Sequence, residues 1–143
     1  MTNKGVIKGE DRLNFDELNT GPNCPVLDYL SGRSAHSDIA EVLEDVIAPL
    51  GAADTFCPEP RNYQYLVAYA NGTVFSYAVG MNTIAFRLSP DFRRTAIKTG
   101  GESVDSIGDE WVAFDMFQSD WPEVDVRFWA RKAYLFAMGA DDS

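Results

Sequence analysis

Asn71-Gly72 stands between two strand-like runs, and it constrains the fold more than any other feature of the chain. Tyr63–Ala70 and Thr73–Val79 are rich in aromatic and β-branched residues on a two-residue period. An Asn-Gly pair between such runs closes a two-residue hairpin, because both residues tolerate the positive φ of a type I′ turn. Gly80-Met81-Asn82 makes a second tight turn, and Thr83–Leu88 returns as a third strand. Three strands joined by short turns form an antiparallel meander. Trp111–Met116 alternates and reads as a fourth strand.

Helices flank this meander. Ile39, Val42, Leu43, Val46, Ile47 and Leu50 repeat at the spacing of one helical face, which predicts a helix over 38–50. Ser37 and Asp38 are its N-cap candidates, with Glu41 at capping-box spacing from Asp38. Ser89-Pro90-Asp91 opens a short helix that runs to Lys98 and stops at Gly100-Gly101. The last helix covers Pro122–Met138, with two candidate rows on it. One is Val124, Phe128, Arg131 and Leu135. The other, wider, is Val126, Trp129, Ala133, Phe136 and Ala137. The expected fold is α+β: a four-stranded antiparallel sheet with helices on one face, in the order αβββαβα. Residues 1–36, broken by Gly5, Gly9, Gly21, Pro22, Pro25 and Gly32, are expected to form an irregular arm whose first ten residues are mobile. Residues 37–139 form the single domain, and 140–143 a polar tail.

Charge excludes some functions. Twelve Lys and Arg against 22 Asp and Glu leave a formal −10 over 143 residues. Such a field repels polyanions, so no nucleic-acid partner is expected. The N-terminus has no apolar run of signal-peptide length, and no stretch reaches the ~20 apolar residues of a membrane span. The expectation is a cytoplasmic chain with no membrane partner.

Little points to catalysis. His36 is the only histidine, and Cys24 and Cys57 stand apart without a CxxC pattern. Two reduced thiols, a disulfide and a Cys–His pair are all compatible with that spacing. No cofactor, no metal and no catalytic residue are expected. Thr99 to Val126 holds eight acids and no Lys or Arg, which reads as a solvated acidic loop. Gly100-Gly101 ends a helix rather than opening one, so it reads as a C-cap and loop, not a phosphate cradle.

Two surfaces stand out. Arg87, Arg93, Arg94 and Lys98 cluster within twelve positions, with Arg127, Arg131 and Lys132 on the last helix. Ion pairing with the surplus acids accounts for such residues, and so does a recognition patch for an acidic partner or ligand. Phe117 and Trp121 flank a short loop and are expected to be partly exposed. The candidate binding residues are therefore Arg87, Arg93, Arg94, Lys98, Phe117 and Trp121.

The pieces NGTVFSYAVGMNTIAFRLSPDFRRTAIKTGGE, WVAFD and FWARKAY, spanning 71–137, carry a further signal. In this order the stretch resembles the TfoX N-terminal domain and its relatives of MmcQ/YjbR type. The resemblance implies a compact α+β domain, in a family some of whose members are linked to competence regulation or proposed to bind DNA. The acidic charge and the N-terminal arm depart from that family's pattern. The expected function is a small non-enzymatic interaction or regulatory domain, acting through a protein partner or as a homo-oligomer. The alternative is a binder or enzyme for an anionic small molecule, using the basic and aromatic surface.

Overall fold

A computed structural model describes residues 13–58, 64–116 and 123–139. Its elements in chain order are α1 (Phe15–Leu18), α2 (Asn23–Leu30), α3 (Ser37–Ile47), β1 (Ala53–Phe56), β2 (Leu66–Ala70), β3 (Thr73–Val79), β4 (Thr83–Arg87), α4 (Pro90–Lys98), β5 (Glu102–Ser103), β6 (Trp111–Asp115) and α5 (Glu123–Ala137). The chain is α+β, with one antiparallel sheet in the order β1-β2-β3-β4-β6-β5. Six strands replace the expected four: β1 extends the meander at one edge and β5 pairs with β6 at the other.

The hairpin turn is built as its residues demand. Asn71 has φ 55° and Gly72 φ 71°, the paired left-handed conformation that twists with the flanking strands. A bulge follows within this pair. Ala68 lies opposite Ser76 and Tyr69 opposite Val74, so Phe75 is the extra residue. It lets Val74 and Tyr77, three apart, share one face while Phe75 points to the other.

Both faces of the sheet are covered, which corrects the one-faced expectation. On the first face, Leu66, Ala68, Phe75, Ala78, Ile84, Phe86, Val112 and Phe114 pack against α3, α4 and α5. Of the expected wider row of α5, Val126, Trp129, Ala133 and Ala137 face this core, joined by Ala130, while Phe136 is only half-buried. Phe128 of the other row is 44% exposed. On the second face, Val67, Tyr69, Val74, Tyr77, Ala85 and Trp111 meet Leu18 of α1 and Val26, Leu27 and Leu30 of α2. The supposed irregular arm is thus helical from Phe15 to Leu30, apart from a turn. The first ten residues lie outside the described part.

Two helix starts differ in detail from the expectation. The N-cap of α3 is His36, whose Nδ1 accepts the Asp38 N–H at 3.0 Å, one residue before the candidates Ser37 and Asp38. Ser89 caps α4 with extended backbone, but its side chain makes no capping bond. Beyond α4, Gly100 takes φ 115°, and a Cβ on Gly101 would meet Val112 Cγ1 at 2.3 Å. The glycine pair therefore ends the helix and lets the chain pass close over β6. The acidic loop beyond it turns Val104 and Ile107 inward against the second-face core.

Candidate functional site

α4 and α5 meet across the first face through aromatic rings. Trp129 is buried and stacks on Phe114 at 6.3 Å between ring centroids, with 20° between planes. Phe92 reaches from α4 edge-on to Trp129 and to Phe128, each at 6.4 Å. Phe128 sits edge-on to Trp129 at 4.8 Å and leaves its outer side in solvent. Lys132 lies one helical turn after Phe128, so both share a stripe of α5. Its Nζ stands 4.8 Å from the Phe92 centroid and 5.3 Å from that of Phe128. A cation over two rings, one of them exposed, is the outstanding surface feature of this face.

The basic residues expected to form one patch do different things. Arg87, at the end of β4, places Nε 2.9 Å from Glu110 Oε1 and its guanidinium 4.8 Å from the Phe136 ring centroid. Its side chain is only 17% exposed, so it serves the packing of β4 against α5 and the loop before β6. Arg94 pairs with Asp91 within α4, an exposed contact worth about 0–1 kcal/mol. Lys98 is exposed in the last turn of α4, where the helix dipole favours a cation. Arg93 is half-buried, and its Nε is buried without a hydrogen-bond partner. Phe117 and Trp121 lie outside the described residues. Lys132 and Phe92 were not singled out as binding residues from the sequence. Lys132 stood only among the basic residues of the last helix, and its spacing of four from Phe128 is the signal that pairs those two.

Groups that could do covalent or metal chemistry are scattered. Cys24 is exposed and Cys57 half-buried, and neither is in a disulfide. His36 uses Nδ1 on the cap of α3. No group of three His, Cys, Asp or Glu side chains converges as a metal site among the described residues. Burial, with the neighbouring Cys57 second, pushes the Tyr65 hydroxyl above its ordinary range. No helix among the described residues is long and apolar enough to cross a membrane.

No family model matches the chain, and neither does any curated protein or solved structure.

Proposed function

We propose that the chain is a non-enzymatic interaction domain that docks an acidic protein segment on the α4–α5 surface. The observation that carries this reading is Lys132 over the Phe92 and Phe128 rings, with Phe128 44% exposed. Aromatic rings, Phe among them, are enriched in protein interfaces, and a cation beside one favours an acidic partner. Lys98, exposed in the last turn of α4, adds a further cation to that helix. Arg87 and Arg94 do not, because Glu110 and Asp91 already neutralise them. The fitting partner carries an apolar anchor for Phe128 and flanking acids for the cations. The likeness of residues 71–137 to the TfoX N-terminal domain belongs to this proposal at the level of regulation through a partner.

The test is a library of acidic peptides with and without a central aromatic or leucine anchor, screened for binding. Anchored acidic peptides should bind, weaken with rising salt, and weaken at least about tenfold on Lys132→Glu. Equal binding by wild type and Lys132→Glu would contradict the reading.

A further inference from the structure

The opposite face of the sheet carries a different feature. Here α2 covers only part of the strands, and beyond its last turn lies a cleft of about 590 Å³. That volume falls in the range of small-molecule sites, roughly 300–1,000 Å³. Tyr77, Val79, Thr83 and Ala113 lie along the sheet side of the cleft. One wall is the stretch after α2, Gly32 to Ser34. It is stitched to the β3–β4 turn by the Gly80 N–H donating to the Ser34 carbonyl at 2.7 Å and the His36 N–H donating to the Gly80 carbonyl at 2.8 Å. The other wall is β5 with Val104.

Two charges line this cleft without neutralising each other. Arg33 is held in place from two sides: its Nε donates to the Tyr29 carbonyl at 2.8 Å, and its Cζ lies 4.2 Å from the Tyr29 ring centroid. It has no carboxylate within ion-pair distance among the described residues, in a chain with 22 acids. Its terminal N–H groups therefore remain as a fork for a planar anion. Fixing the side chain beforehand lowers the ordering cost of binding. Glu102, on the two-residue strand β5, is exposed and equally without a cationic partner among the described residues. Tyr29 and Tyr77, both in the lining, stand with their ring centroids 6.1 Å apart.

We propose that this cleft binds a small zwitterion carrying one carboxylate and one ammonium group, the chemistry of a free amino acid or a short peptide. The carboxylate takes the Arg33 fork, the ammonium takes Glu102, and the apolar part lies over Val79 and Ala113. A dianion is disfavoured by Glu102, and a plain cation by Arg33. The site is independent of the α4–α5 surface, on the other side of the sheet.

The experiment is an amide-resolved NMR titration of the whole chain with the free amino acids, a set of dipeptides, and their deaminated carboxylate-only analogues. The expected result is saturable shifts around Gly32, Gly80 and Ala113 for at least one zwitterion. The two arms tell a free amino acid from a peptide. Arg33→Gln should weaken that binding at least about tenfold. Glu102→Gln, at an exposed position of the edge strand β5, should weaken the zwitterion but not its deaminated analogue, which as an anion loses a repulsion. The proposal is overturned if no zwitterion saturates, if the deaminated analogue binds as tightly as its parent, or if Glu102→Gln affects both alike.

Discussion

Asn23 is tied to the β2–β3 hairpin beside Val74: its Oδ1 accepts the Val74 N–H at 2.7 Å. Its Nδ2 donates to the Gly72 carbonyl at 2.8 Å and to the Leu18 carbonyl at 2.7 Å. The side chain is 1% exposed, at the first residue of α2. One buried amide thus joins α1, α2 and the hairpin. It converts a short pair of helices, marginal by themselves, into the second layer of the domain.

Removing that amide should loosen the layer. Asn23→Ala leaves three backbone groups without their partner, and an unsatisfied buried group costs about 1–3 kcal/mol. The variant should melt several degrees lower and show increased amide exchange from Leu18 to Leu30. An unchanged melt with unchanged exchange would show that the helices hold without this link.

Trp129 tests the first layer. It is 4% exposed and meets Phe114, Phe92 and Phe128. Trp129→Ala should cost about 3–5 kcal/mol, a large part of a domain's whole stability. Urea unfolding measures it directly. A loss well below 1 kcal/mol would mean that α5 does not pack on the sheet through this ring.

Much of this first layer was legible in the sequence. The hairpin, the three-strand meander, α3, α4 and α5 all have local signals: Asn71-Gly72, the amphipathic row of α3, Ser89-Pro90. β1 and β5 were not legible, because four and two residues are too few to show a period, and their existence depends on pairing with β2 and β6. Around the start of α2, Gly21, Pro22 and Pro25 mask the apolar set Val26, Leu27 and Leu30. Pro25 lies in the first turn, where its missing N–H costs nothing, so it does not break the helix. The candidate site was legible only as composition. That Glu110 neutralises Arg87 is a contact across 23 positions, and no spacing rule anticipates it. Arg33 carried no local signal; its setting arises from the junction of α2 with the β3–β4 turn.

The Tyr77 hydroxyl gives a pH signature. Burial first, and then Tyr29 beside it, raise its pKa well above the ordinary 10.0, with Arg33 opposing. The folded chain thus keeps a proton that the unfolded chain gives up. Its stabilising contribution is fully present below the unfolded value and is lost progressively as pH rises above it. Melting temperatures should fall above about pH 10, and fall less steeply for Tyr77→Phe. Parallel curves for the two proteins would contradict this assignment.

Docking through the α4–α5 surface is tested by quantitative capture from the source-cell extract. Wild type, Phe128→Ala and Glu102→Gln serve as parallel baits, with thermal melting confirming that each is folded. Phe128 carries the aromatic edge of the proposed interface, while Glu102 lies on the other side of the sheet. One principal acidic partner should be recovered equally by wild type and Glu102→Gln, and depleted at least about tenfold from Phe128→Ala. Equal recovery of the same proteins by all three baits would contradict it.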